Sequence, residues 1–211
     1  MGKVTSAVVI TLGLVLFHTC SNNVSISQGP KDRFNLEAIE SQRVIKAADF
    51  YLTEQPLTIS ASYCPRSAGG SNDFYSEGDY WWPDSLNPGG PYIRRDGLTN
   101  PENFKDHRRA LVRFGIQVPA LTSAFMLSGD RKYAEHAARH LRAWFVNAET
   151  RMNPNLLYAQ AISGKVTGRG VGIIDTIHLI EIALAIEQLI KTDVLMGSEI
   201  EAILTWFDDY L

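Results

Sequence analysis

The sequence predicts an all-helical fold built from helix hairpins and interrupted by two long irregular stretches. Apolar residues recur at three- and four-residue spacing over most of the chain after residue 35, and no segment shows convincing strand alternation. A tight Ser128-Gly129-Asp130 corner joins two of these periodic segments closely enough to make an antiparallel hairpin. The hairpins recur without a detectable sequence repeat, so an all-helical array is the economical arrangement.

Residues 35–54 read as the first helix. Asn35 is placed to cap it, Leu36, Ile39, Val44, Ile45, Ala48, Tyr51 and Leu52 keep helical spacing, and Pro56 ends it. Residues 59–64 read as a short extended piece, and 65–73, PRSAGGSND, as a flexible approach to an aromatic loop. A second helix over 103–127 carries Phe104, Leu111, Phe114, Val118, Leu121 and Phe125, with a kink or break expected near Pro119. Asp130 caps a third, over 131–146, with Tyr133, Ala137, Leu141, Trp144 and Phe145 on one side. Residues 176–190 are apolar nearly all round and predict a central helix packed on several sides. The last helix opens with a capping-box pattern, Ser198 to Glu201, and bears a stripe of Ile200, Ile203, Leu204, Phe207 and Leu211. No closing residue precedes the end of that stripe, so 35–211 is expected to be the N-terminal part of a larger domain.

The irregular stretches carry the functional signal. Residues 79–102, DYWWPDSLNPGGPYIRRDGLTNPE, set Tyr80, Trp81, Trp82 and Tyr92 among four prolines and three glycines, which leaves neither apolar period intact. Loops of this length are usually functional or disordered, and side chains this large gain too much from burial to stay disordered. Flat ring faces beside Arg94, Arg95 and Asp96 are what holding a sugar requires; the bland alternative is that Trp81 and Trp82 plug a helical core. The second stretch, 147–175, gathers Asn153, Asn155, Tyr158, Gln160 and Arg169 among glycines. Each stretch follows a helix, so the two are expected to meet at one end of the fold and wall a cleft. For Asn153-Pro154-Asn155 simple helix capping competes with a sugar contact, and for Arg169 carbonyl capping competes with anion binding.

Composition narrows the partner. A chain of 211 residues with formal net charge −3 is globular and has no general attraction for nucleic acid or an anionic membrane. Local basic clusters exist at Arg94 and Arg95 and at Lys105, His107, Arg108 and Arg109, the second reading as a solvated helix face. Residues 1–20 read as a signal peptide, with Lys3 ahead of an apolar run at 7–17 that is too short to span a bilayer. Cys20 is a lipidation candidate, although His18 and Thr19 depart from the usual small residues before such a cysteine. Residues 21–34 read as a polar tether. An exported protein is expected, periplasmic or an outer-membrane lipoprotein, touching the membrane only through Cys20. Cys64 then stands alone in the folded part, and no intramolecular disulfide is available.

Several chemistries fit poorly. His136 and His140 share a helix face but lack both a zinc-protease glutamate and a third ligand, so no metal or other cofactor is predicted. Gly164-Lys165 and Gly168-Arg169-Gly170 are not spaced as a phosphate loop, and Cys64 has no nucleophile signature around it. Asp79, Asp84 and Asp96 could supply the carboxylate pair of a glycosidase, Asp84 with Asp96 being the weaker hydrolase reading, but acidic residues in such loops more often cap turns.

The strings DYWWPD, GGPYIRRDG, TNPE, Trp144-Phe145, TRMNPNLLYAQAISG and GRGVGIID resemble the N-terminal half of the alginate lyase family, in particular its secreted bacterial members acting on uronate polysaccharides. The resemblance runs from about residue 50 to the end. It implies an incomplete α/α toroid of helix hairpins with a cleft, and cleavage of a β-1,4-linked uronate polymer of alginate or glucuronan type by β-elimination. It places Tyr80, Trp81 and Trp82 in the cleft wall or lid, Asn155, Tyr158 and Gln160 against bound sugar, and Arg169 near a carboxylate. The implied catalytic set is an Asn-His pair followed by a tyrosine and an arginine. No Asn-His string occurs here, so that set is expected beyond Leu211 and the 211 residues are expected to be inactive alone. A non-catalytic glycan-binding lipoprotein of a polysaccharide uptake system is the alternative.

Overall fold

The computed structural model describes residues 36–211. The signal-like run, Cys20, the polar tether and the expected Asn35 cap lie outside the described residues. Helices predominate: α1 (Leu36–Tyr51), α2 (Asp106–Ser128), α3 (Arg131–Leu141), α4 (Leu179–Leu189) and α5 (Gly197–Tyr210). This agrees with the expected helical fold, to which the described residues add four short strands: β1 (Tyr75–Glu77), β2 (Trp81–Trp82), β3 (Ile93–Arg94) and β4 (Tyr158–Ala161). β1 pairs in parallel with β4, and β2 is antiparallel to β3. Strands of two to four residues are too short to show alternation, and the β1–β4 pairing joins distant parts of the chain, which no local pattern reports.

α2 is the central element and packs on α1, α3 and α4. It runs unbroken through Pro119, so of the kink or break expected there the break does not occur. Gly115, four residues earlier and one turn below, presses directly on α4's approach: an added Cβ would lie 2.7 Å from His178 Cβ. Gly129 adopts the left-handed conformation (φ 69°) that ends α2, with its N–H bonded to Phe125 O, and the Asp130 carboxylate accepts from Lys132 N to start α3. This corner matches the sequence reading.

The third predicted helix stops being α-helical at Leu141 and continues as a π-turn, Arg142–Val146. Asn147 N bonds Arg142 O at 2.8 Å, and Thr150 Oγ1 donates to Ala143 O. The wider turn sets adjacent Trp144 and Phe145 both inside the core. Trp144 stacks on Phe114 at 4.6 Å, and Phe145 meets Trp206 at 4.7 Å, which ties α5 to the α2–α3 hairpin. Both indoles find acceptors, Leu57 O for Trp144 and Met152 O for Trp206, so neither ring buries an unpaired N–H.

Three further expectations are corrected. Residues 59–61 form a single 3-10 turn rather than an extended piece. The α5 cap lies earlier than Ser198: Glu199 reaches back to Met196 N, while its carboxylate is also gripped by Arg142. The predicted central helix over 176–190 is α-helical only from Leu179 and leaves one side open: Ile180 and Leu184 are more than half exposed, and Ile180 joins Ile173, Ile174, Ile177, Phe207 and Tyr210 along an apolar groove. Cys64 is buried and free.

Candidate functional site

The two irregular stretches meet. Tyr92 N donates to Ser163 O at 3.0 Å, joining the loop of the β2–β3 hairpin to the turn after β4. The first stretch is pinned from below by buried amides: Asn100 Nδ2 donates to Trp81 O and Asn103 Nδ2 to Gly78 O, both at 2.9 Å. Asn100 N also reaches Asp79 O. Glu77 anchors the preceding strand. Its carboxylate takes two 2.6 Å bonds from Arg66, one from Phe104 N and one from the Tyr75 hydroxyl. Burial alone would push the Glu77 carboxyl up, but these donors outweigh it and hold it below the usual range.

Between the stretches lies a pocket of about 220 Å³ lined by Asp79, Tyr80, Trp81, Arg94, Gln160 and Arg169. Four of the predicted site residues, Tyr80, Trp81, Gln160 and Arg169, therefore line one pocket. Lys165 Nζ sits 4.7 Å from the Trp81 ring centroid, within cation–π range. Gly78 is where the parts converge, since a Cβ there would lie 2.6 Å from Trp81 Cδ1 and 2.7 Å from Arg169 Nη2. Larger depressions lie elsewhere: one of about 730 Å³ is lined almost wholly by apolar side chains, and one of about 610 Å³ carries Glu54, Arg108, Arg109, Arg113 and Gln117 but no residue of either irregular stretch.

Three predicted residues lie outside the pocket. Trp82 follows Trp81 on a strand and so faces the other way; its indole donates to Leu98 O, and Arg95 lies over its ring. Asn155 Oδ1 accepts from Leu157 N and closes a turn ahead of β4, so it does not serve the helix capping weighed against sugar contact. Tyr158 packs into a satellite cluster with Cys64, Tyr75, Ala161 and Phe104, its ring against Gly69. It is on a strand, where residues two apart share a face in principle, but the β1–β4 ladder shifts register and Gln160 is turned aside.

Gln160 is the one non-glycine residue with positive φ (56°) among the described residues. Its N–H leaves the ladder for Ser76 Oγ at 2.7 Å, and its carbonyl accepts from Arg169 Nε at 2.7 Å. Its side chain accepts from Arg169 Nη2 and donates to Asp175. A bulge that re-aims a side chain, held in a costly conformation by surrounding bonds, makes Gln160 a candidate functional position. Sequence reasoning does not single out Ser76 or Asp175. Asp175 closes the string GRGVGIID, and that is the only signal pointing to it.

The charges of the site do not cancel locally. The guanidinium bonds that Arg169 makes go to Gln160, a neutral partner, and not to a carboxylate. Burial lowers its proton affinity and the nearby Arg94 lowers it further, with Asp175 acting in the opposite sense. Arg94 is paired with Asp96 on the exposed side. Asp79 is held by Arg108, whose Nη1 lies at 2.6 Å. His107, read as part of a surface basic cluster, is instead buried; Tyr75 N donates to its Nδ1, which leaves Nε2–H to donate to Ser62 O. Burial pushes its pKa down and keeps the ring neutral. Asp84 caps the turn at Leu86 N, so the Asp84 and Asp96 hydrolase pair has both members in local roles.

The profile of the alginate lyase family matches residues 58–211. The chain belongs to the alginate lyase family. A crystal structure of an alginate lyase from Bacteroides ovatus at 1.60 Å resolution matches with TM-score 0.75 and 35% identity. The match covers 82% of this chain and 46% of that one, so this alginate lyase family chain spans less than half the length of the solved enzyme. No curated protein matches the sequence.

Proposed function

We propose that the pocket between Trp81 and Arg169 binds an acidic sugar, and that the protein is a polysaccharide lyase acting on β-1,4-linked uronate polymers by β-elimination. The observation that carries this is a partly buried arginine that has no carboxylate partner among the described residues, beside an accessible aromatic wall. A uronate offers both complements, a carboxylate for Arg169 with Arg94 and a pyranose face for Trp81 or Tyr80.

The chemistry explains why such a pocket is needed. The C5 proton of a uronate is a poor acid until the adjacent carboxylate is neutralised, and a donor aimed at the developing charge contributes roughly 3 kcal/mol. A base then takes that proton and an acid protonates the departing O4, each adding on the order of 10²–10⁴ in rate. Arg169 and Arg94 suit the neutralising task. No histidine lines this pocket, and we propose that the proton-moving pair lies outside it, so that these 211 residues alone bind without cleaving.

Titration of the chain with mannuronate and glucuronate oligomers tests the reading. Saturable binding that weakens with salt is expected, and Arg169→Ala should cost about 1.5–3 kcal/mol. Equal affinity in the Arg169 variant would remove the acidic-sugar assignment. Ultraviolet absorbance of an unsaturated sugar, formed by this chain alone from polymannuronate or glucuronan, would overturn the placement of base and acid. Binding with no elimination by any longer form would favour a glycan-capture role instead.

A further inference from the structure

The pocket is shaped by a residue that does not line it. Asp175 lies in the 3-10 segment Gly170–Thr176, with its side chain only 7% exposed, and it receives groups from three other elements. Ser76 Oγ of β1 donates to Oδ2 at 2.5 Å, Gln160 Nε2 of β4 lies 3.1 and 3.2 Å from the two oxygens, and Arg108 Nε of α2 lies 3.1 Å from Oδ1. Arg108 carries the connection on to Asp79 at the pocket edge through Nη1 and to Glu77 O through Nη2.

The logic of donors and acceptors makes this arrangement directional. An ionised carboxylate only accepts, so the Gln160 amide must turn its NH₂ toward Asp175. That leaves Oε1 as the face presented to Arg169 Nη2, at 3.1 Å. Reversed, the amide would set NH₂ against a guanidinium, donor against donor. The Ser76 hydroxyl follows the same rule. It donates to Asp175 and therefore has its lone pairs free to accept Gln160 N, the bond that holds Gln160 at positive φ. One acceptor-only group thus fixes both the backbone and the amide of Gln160, and Gln160 in turn aims Arg169.

We infer that Asp175 is the positioning residue of this pocket, orienting Arg169 through Gln160 so that the site distinguishes an acidic sugar from its neutral counterpart. The inference rests on the acidic-sugar reading above. A purely structural Asp175, serving only as partner to Arg108, would affect folding or all ligands alike. A positioning Asp175 affects recognition of the carboxylate.

The 211-residue chain and its Asp175→Asn, Ser76→Ala and Arg169→Ala variants are titrated by NMR with a mannuronate trisaccharide and with the same trisaccharide reduced at its carboxylates. Asp175→Asn is expected to weaken the acidic ligand by about tenfold or more while leaving the neutral one within about twofold. The side-chain NH₂ signals of Gln160, assigned by their loss in Gln160→Ala, should shift in Asp175→Asn without ligand. Undiminished preference for the acidic trisaccharide, or equal loss for both ligands, overturns the inference. Should Asp175→Asn fail to melt cooperatively, Ser76→Ala carries the same expectation and the same refutation. If Arg169→Ala binds the acidic trisaccharide as the unmodified chain does, the acidic-sugar reading falls first and this inference with it.

Discussion

Replacing His140 by leucine should flatten the acid side of the stability curve. His140 is 1% exposed on α3, its ring 5.1 Å from that of His136, and its Nε2 is buried without a hydrogen-bond partner. Burial, then the neighbouring His136 and Arg113, push its pKa from 6.5 down to about 4. The folded state therefore prefers the neutral ring. Between pH 6.5 and about 4 the unfolded chain binds a proton that the folded chain refuses, so stability rises with pH across this window. The contribution is whole above pH 6.5 and gone below about 4. At about 1.4 kcal/mol per unit, the fall from 6.5 to about 4 corresponds to about 3 kcal/mol. His140→Leu deletes this dependence, and at pH 7.5 it also removes an unpaired nitrogen, so it should be neutral or stabilising by about 1 kcal/mol there. Urea unfolding at half-unit steps from pH 7.5 to 4.5 measures both curves. His107 and the paired carboxylates of Glu77 and Glu199 titrate in both proteins and drop out of the difference. Parallel curves would show that protonation of His140 costs the fold nothing, and the burial argument would be refuted.

Gly115→Ala should destabilise the α2–α4 contact. A methyl 2.7 Å from His178 Cβ costs about 1–3 kcal/mol of overpacking, of which improved helix propensity returns about 1, and a thermal melt reads the balance. Trp81→Ala should weaken oligouronate binding by about 1–2 kcal/mol while Trp82→Ala leaves it nearly unchanged, because only the Trp81 ring lines the pocket; equal losses would place the sugar elsewhere. Glu77→Gln should lower stability at pH 7 by about 2 kcal/mol through weaker bonds to Arg66, Phe104 N and the Tyr75 hydroxyl. Since the folded pKa of Glu77 lies below 4.5, its stabilisation is present above that pH and lost below it, so the two proteins should converge in acid.

The legible and illegible parts of this chain divide along a physical line. α2, α3, α4 and α5 are legible because each buries a stripe, and burial at 3.6-residue spacing is written in adjacent residues. The Gly129 and Asp130 corner is legible because left-handed backbone and capping oxygen each demand particular residues. The π-turn at Arg142–Val146 is not, since what it achieves, two neighbouring aromatic side chains both facing inward, depends on partners in α2 and α5. Within the site, Tyr80, Trp81 and Arg169 stand out as large or charged groups in glycine-rich loops. Trp81 and Trp82 cannot be separated by sequence, because a two-residue strand has no period of its own and its facing is decided by Ile93 and Arg94 across the ladder. The positive φ of Gln160 is invisible for a related reason. Nothing in its own side chain favours that conformation; Ser76, Asp175 and Arg169 impose it from three directions, and two of these lie on segments that meet only once β1 has paired with β4. The orienting half of the pocket is thus written in tertiary contacts, while the ligand-facing half is written in composition, which is why sequence reveals the aromatic and arginine residues but not the serine and aspartate that aim them.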